Sequence, residues 1–183
     1  MNLPIVHYGD PVLRAKGKRI EIIDERVREL AMKMIETMHE ANGVGLAAQQ
    51  IGEALQITVV DVAGAEDQAS TMILNGAEVD PKMSMPLVLV NPELTLSDET
   101  AIGLEGCLSF PEITGDIRRS ISVVLTAQSL EGEPLEIEAS GLLARALQHE
   151  VDHLNGILFI DRMSAATKVA LRSRLKRMQR GEL

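Results

Sequence analysis

Gln148-His149-Glu150-Val151-Asp152-His153 reads HExxH and sits in a stretch with helical spacing. Residues four apart on a helix share a face, with Cβ atoms roughly 5–6 Å apart. His149 and His153 can therefore place both imidazoles on one small cation. Glu150 then reaches water held by that cation without being a ligand itself. This is the geometry of metal-activated hydrolysis. The plain alternative is a pair of ordinary polar histidines, since an isolated HExxH also arises by chance. What separates the two is a third ligand.

A catalytic ion needs three protein ligands and a position left open for water. Downstream, one metalloprotease pattern would continue His-x-x-Gly-x-x-His. Gly156 matches it, but the third histidine position is Phe159, which cannot coordinate. No glutamate lies between Glu150 and Glu182. Asp161, within Phe159-Ile160-Asp161-Arg162, is expected to pair with a neighbouring arginine or to cap the last helix. Upstream lies Cys107, the chain's one cysteine, in Glu105-Gly106-Cys107-Leu108-Ser109-Phe110-Pro111. A lone cysteine is often only a small buried hydrophobe, but a place between a glycine and a turn-forming Phe-Pro is odd for that. Thiolate plus two imidazoles leaves a fourth position for water. The expected ligands are Cys107, His149 and His153.

A second stretch, Gly43-Val44-Gly45-Leu46-Ala47-Ala48-Gln49-Gln50, is dense in small residues, so backbone or ligand must approach closely. A phosphate loop would need a following Gly-Lys-Ser/Thr and a preceding strand, and neither is present. A substrate-lining loop fits better. Gln50 at its end offers an amide donor for a developing oxyanion.

Leu142, Leu143, Ala146, Leu147 and Leu154 surround the histidines with apolar surface, so their helix is central. It opens at Ser140 or Gly141 and ends at Asn155-Gly156. Buried histidines and acids left unpaired would be costly, so they have a use there. An earlier helix is capped by Asp24 and runs to Ala41, with Val27, Leu30, Met34, Met38 and Ala41 on one stripe. Asn42-Gly43 ends it, and Met32, Met34 and Met38 read as core filler. Strands are expected over 56–62, 86–91, 93–102, 121–127 and 135–139. Residues 1–23 read as irregular with a turn at Gly9-Asp10-Pro11, and 63–85 as a loop or ragged hairpin. His7 reads as a surface residue.

The 183 residues suit one domain, 1–183, with its own core. Tyr8, Phe110 and Phe159 are the only aromatics, which argues against base-stacking platforms for single-stranded nucleic acid. A net charge of −9 argues against a surface that tracks phosphates, so no DNA partner is expected. No apolar run approaches the ~20 residues that span a bilayer, and Met1-Asn2-Leu3-Pro4-Ile5 does not read as the start of a signal peptide. A single cysteine excludes an intrachain disulfide, and a cytoplasmic home is expected. The last helix, Ala165 to Arg180, carries Lys168, Arg172, Arg174, Lys176, Arg177 and Arg180 and no acid. It reads as a solvated face, or as a basic arm that docks on RNA or an acidic partner.

Gly43 to Gln50, Glu105 to Ser109 and Gln148 to His153 together resemble the three signature motifs of the peptide deformylase family, in order. Gly9-Asp10-Pro11-Val12-Leu13-Arg14 and His153-Leu154-Asn155-Gly156-Ile157-Leu158-Phe159-Ile160-Asp161-Arg162 are similar to its flanks. The resemblance implies an α+β fold, with antiparallel strands packed around the HExxH helix and with N- and C-terminal helices. It implies a metal-dependent hydrolase that removes the formyl group from formyl-methionyl nascent peptides. One divalent ion is implied, Fe(II) natively, with Ni, Co or Zn as substitutes. An ion there lowers the pKa of a water from 15.7 toward about 7, and that water attacks the formyl carbon. Glu150 takes the proton and delivers it to the leaving amine, while Gln50 and the Leu108 backbone N–H hold the oxyanion. Gly45 lets substrate backbone lie close. Val44, Leu142, Arg145 and Ala146 are implied around the methionine side chain, and Glu105 is implied to pair with Arg119. Family members often have a basic residue seven positions after the cysteine, where this chain has Thr114. Ribosome docking is implied for the basic C-terminal helix.

Two rivals follow from the same residues. A metallopeptidase cutting internal bonds shares HExxH but needs a different third ligand. A non-catalytic ribosome- or RNA-binding protein would keep the basic tail and lose the metal.

Overall fold

The computed structural model describes residues 3–182. Met1 and Asn2, which begin the stretch read above for a leader, lie outside the described residues, as does Leu183. The Asp24 side chain accepts the Val27 N–H at 3.0 Å and caps α1, Glu25–Glu40. Val27, Ala31, Met34, Thr37 and Met38 face inward, and Asn42 takes φ 55° just after the helix. Met32 does not fill the core. It is 55% exposed, because two residues from Met34 means about 200° around the helix, away from the stripe.

The small-residue stretch is more regular than the expected loop. β1 (Gly45–Ala47) pairs antiparallel with β2 (Ile57–Val60), Gly45 opposite Val60, and a 3-10 turn at Ala48–Ile51 follows. Glycine and alanine disguise a strand, because strand propensity reflects side-chain packing on a half-buried surface. β3 (Ser70–Leu74) and β4 (Ala77–Val79) form a hairpin, turning on Asn75 and Gly76 at φ 48° and 82°. The expected strands at 86–91 and 93–102 are divided differently. β5, Leu87–Leu96, is continuous through an irregularity between Val90 and Glu93, while β6, Thr100–Cys107, belongs to a second sheet.

β6 pairs with β7, Phe110–Ser120, a strand absent from the sequence reading. Its inward positions are Ile113, Gly115, Ile117 and Arg119, and the glycine and arginine hide the alternation. Phe110-Pro111 accordingly begins a strand, and the turn is Leu108-Ser109. β8 (Ser122–Gln128) and β9 (Pro134–Ser140) lead into α2, Gly141–Leu154. The larger sheet is antiparallel throughout, in the order β1-β2-β5-β8-β9-β3-β4.

Leu143, Ala144, Leu147 and Val151 of α2 pack on Met72, Leu89, Leu125 and Ile137 of that sheet. α1 covers the β1 end, Met34 and Met38 lying against Ile57, Val59 and Val90. Burying such side chains contributes about 1.5–3 kcal/mol each. The third cluster joins β7 to both ends of the chain. Here Phe110 stacks on Tyr8 at 4.8 Å and meets Phe159 edge-on at 5.1 Å. All three aromatics of the chain are used at this junction.

Asp161 neither pairs with its neighbour nor caps the last helix. It holds Arg14 through two bonds of 2.5 and 3.0 Å and accepts the Leu158 N–H at 2.9 Å. Ser164 caps α3, Ala165–Gln179, instead. Arg162 reaches back to Asp152.

Candidate metal centre

Two segments from different layers meet at the site. α2 carries His149 and His153 one turn apart, with ring centroids 5.0 Å apart, and is buried without a break from Ala146 to Leu154. Cys107 ends β6 where the chain turns into β7. Its Sγ lies 3.3 Å from His153 Nε2. The ligand atoms of Cys107, His149 and His153 all fall within 4.8 Å of one another. One soft sulfur and two imidazole nitrogens converging from three sides fit a single small divalent ion.

The His149 ring orientation agrees with that use, while the His153 Nδ1 is buried without a hydrogen-bond partner among the described residues. His149 donates from Nδ1 to Glu105 Oε1 at 2.9 Å, which leaves Nε2 to point elsewhere. Burial alone would push His149 down, but the Cys107 sulfur and the Glu105 carboxylate outweigh it and lift its pKa to about 10. The site thus draws positive charge to that ring, which an ion can supply in place of a proton. His153 is held well below its ordinary value, first by burial and then by the charges of His149 and Arg119, so it is neutral and able to coordinate.

Glu105 is fixed by three donors besides burial. Arg119 grips both its oxygens at 2.9 Å, and Arg145 Nη1 reaches Oε2 at 2.8 Å. Burial raises a carboxyl, but the bonds from His149 and Arg119 win and hold Glu105 at about 2. Arg119 is held in turn by Asp152 at 2.5 Å, and Asp152 by Arg162 at 2.6 and 2.7 Å. The Glu105–Arg119 pair implied by resemblance is therefore present, and Asp152, Arg145 and Arg162 extend it. Sequence reading had Arg145 only beside the methionine pocket and Asp152 only as a buried acid with a use, and it missed their place in this network and that of Arg162. The available signal was Asp152, an acid on a buried helix face that must find a partner.

Glu150 is 4% exposed, and its Oε2 has no hydrogen-bond partner among the described residues. Burial raises its pKa to about 7. A side chain on Gly45 would collide with this carboxylate. The close approach that Gly45 permits is thus that of Glu150. Gln50 accepts the Ala47 N–H on Oε1 at 2.9 Å. This orients Nε2 toward Ser109 Oγ at 3.3 Å and the Cys107 sulfur at 3.6 Å.

Gly45, Gln50, Glu105, Cys107, His149 and Glu150 line one cavity of about 560 Å³, together with Val44, Leu108, Leu142, Arg145 and Ala146, while His153 lies outside this lining. Thr114 also lines it, so the position seven after the cysteine carries no positive charge here, while Glu112 beside it adds a carboxylate to the wall. His7 is exposed and lies outside this lining.

A sequence model of the polypeptide deformylase family matches residues 2–169. The chain is 49% identical over 178 residues to peptide deformylase of Opitutus terrae, covering 96% of this chain and 92% of that one. It is 44% identical over 182 residues to the Methylacidiphilum infernorum enzyme of the same name, covering 100% and 95%. The crystal structure of peptide deformylase from Thermotoga maritima superposes with a TM-score of 0.77 at 39% identity, covering 90% of this chain and 99% of that one.

Proposed function

Because this chain belongs to the polypeptide deformylase family, we propose that it removes the formyl group from the N-terminal formyl-methionine of nascent polypeptides, as one catalytic domain over residues 1–183. The observation that carries this reading is the Cys107–His149–His153 cluster, two members of which, Cys107 and His149, line one cavity together with Glu150 and Gln50.

Cys107, His149 and His153 would hold one divalent ion, Fe(II) natively with Ni, Co or Zn as substitutes, which would supply Lewis acidity and lower the pKa of a water toward about 7. Glu150 accepts the proton of the attacking water and returns it to the leaving amine nitrogen. Its burial and its unpartnered Oε2 support that role, because that oxygen is free to take the proton. Gln50 Nε2 and the Leu108 N–H donate to the oxygen of the tetrahedral carbon. Val44, Leu142, Arg145 and Ala146 enclose the methionine side chain, with the peptide backbone beside Gly45. A formyl carbon bears only hydrogen, so a closed site excludes acetyl by clash.

Protein stripped with a chelator should lose hydrolysis of formyl-Met-Ala-Ser and recover it with one equivalent of Fe(II) or Ni(II) under nitrogen. Full activity in the stripped protein would contradict the metal assignment. A thiolate–iron site should also decay in air, since both partners oxidise.

A cytoplasmic location fits a reactive thiolate, Cys107, kept reduced as a ligand; no helix among the described residues is long and apolar enough to cross a membrane. Lys168, Arg172, Lys176 and Arg177 on α3, and Arg180 just after it, are exposed, which supports ribosome docking through that helix. Salt-sensitive co-sedimentation with ribosomes tests this. It should be lost when Arg172, Lys176 and Arg177 are changed to Glu, and binding that survives those changes counts against it.

A further inference from the structure

Arg145 lines the cavity on one side and reaches the support of the metal cluster on the other. Its guanidinium is spent on three acceptors: Glu105 Oε2 at 2.8 Å, the Ile117 carbonyl at 2.9 Å and the Ala101 carbonyl at 3.0 Å. Only 16% of the side chain is exposed, so what it offers the cavity is mainly its aliphatic stem. Glu105 is the carboxylate that takes the His149 Nδ1 proton at 2.9 Å. Each of its two oxygens receives two donors, His149 and Arg119 on Oε1, Arg119 and Arg145 on Oε2. Removing Arg145 leaves one oxygen half satisfied and takes a positive charge away from the carboxylate.

Gly103 on β6 provides the room for this arrangement. A Cβ there would lie 2.9 Å from Arg145 Cζ, 3.0 Å from Nη2 and 3.1 Å from Nε. These atoms are the end of a flexible side chain, so an added methyl moves the guanidinium rather than the strand. A shift of even a few tenths of an ångström misaligns bonds whose geometry is fixed by the planar fork.

We propose that Arg145 is a positioning residue for the metal centre, setting the orientation and donor strength of His149 through Glu105, and that Gly103 is the matched vacancy that lets it do so. This rests on the reading of Cys107, His149 and His153 as the ligands. It assigns to Arg145 a role distinct from walling the methionine pocket. Outer partners of a metal-bound histidine commonly change affinity or activity 10–100-fold when altered, and charge-assisted bonds of this kind are the strong ones.

The test uses the full chain and Co(II) or Ni(II) as probe. Arg145→Met keeps the apolar stem and drops all the donors, while Gly103→Ala keeps the arginine and displaces it. Metal affinity is measured by chelator competition, the Co(II) visible spectrum is recorded, and kcat and KM are taken on formyl-Met-Ala-Ser. Both variants should lose roughly tenfold or more in metal affinity and shift the Co(II) bands. The double variant should be no worse than Arg145→Met alone, because both changes remove the same contact. Wild-type affinity and spectrum in Arg145→Met, with only KM altered, would overturn the proposal and leave Arg145 a pocket wall. So would additive losses in the double variant. If Arg145→Met fails to fold, Arg145→Lys is measured with Gly103→Ala: it keeps charge and stem without the fork and should lose affinity likewise, and wild-type affinity in both overturns the proposal. Failure of the ligand reading itself is seen separately, as wild-type protein that binds less than one equivalent or as unchanged affinity in Cys107→Ser.

Discussion

Glu150→Gln is expected to leave metal content and folding intact while turnover of a formyl peptide falls by roughly 10²–10⁴, the range general acid–base catalysis supplies. The substitution is nearly isosteric, so Gly45 still accommodates it. The side chain lies outside the Cys107–His149–His153 donor set, so the ion has no reason to leave. What is lost is a carboxylate able to take a proton and give it back. The wild-type group suits that cycle because burial holds it at about 7 rather than in the usual carboxylate range. The check is paired: metal per chain by elemental analysis and kcat on formyl-Met-Ala-Ser. Retained turnover would remove Glu150 from its role. Loss of metal together with turnover would make it part of the binding site.

Cys107→Ser carries the second large effect. A neutral hydroxyl replaces the soft, anionic ligand, and the two histidines alone form an incomplete set. Metal affinity should fall by several orders of magnitude, and activity with it, with hydrolysis partly returning only at high metal concentration. Equilibrium dialysis across a range of Ni(II) concentrations reads the change directly. The same variant separates the proposed reaction from an internal-bond metallopeptidase. Such an enzyme would draw its third ligand from elsewhere and keep its metal in Cys107→Ser. The downstream alternative was Asp161, but its carboxylate is held by Arg14 and the Leu158 N–H.

Cys107, His149 and His153 were legible as a cluster before any coordinates because each constraint is local or chemical. Helical spacing puts the histidines together, and elimination of Phe159 and Asp161 leaves the one soft donor. α1 and α2 were legible for similar reasons, since Asp24, Asn42 and Asn155-Gly156 mark their ends, whereas α3 was placed without its true cap, Ser164. β7 was not, because its inward face uses Gly115 and Arg119 where an apolar alternation would be sought. Arg119 occupies a core position only because Glu105 and Asp152, 14 residues before it and 33 after it, arrive to neutralise it. β1 was hidden for the opposite reason. Its small residues look like a loop until β2 and the Glu150 carboxylate are seen against them. Arg145 shows the same limit in the site itself. Its partners Ala101, Glu105 and Ile117 lie on two paired strands of a sheet that sequence reading did not assemble.

The most direct test of the central claim is a side-by-side assay of formyl-Met-Ala-Ser and acetyl-Met-Ala-Ser with protein purified without oxygen and loaded with one equivalent of Fe(II) or Ni(II). Release of formate from the first peptide, with no hydrolysis of the second and no cut between residues, is the predicted result. Equal hydrolysis of both peptides, internal cleavage, or no reaction with the metal fully bound would contradict it.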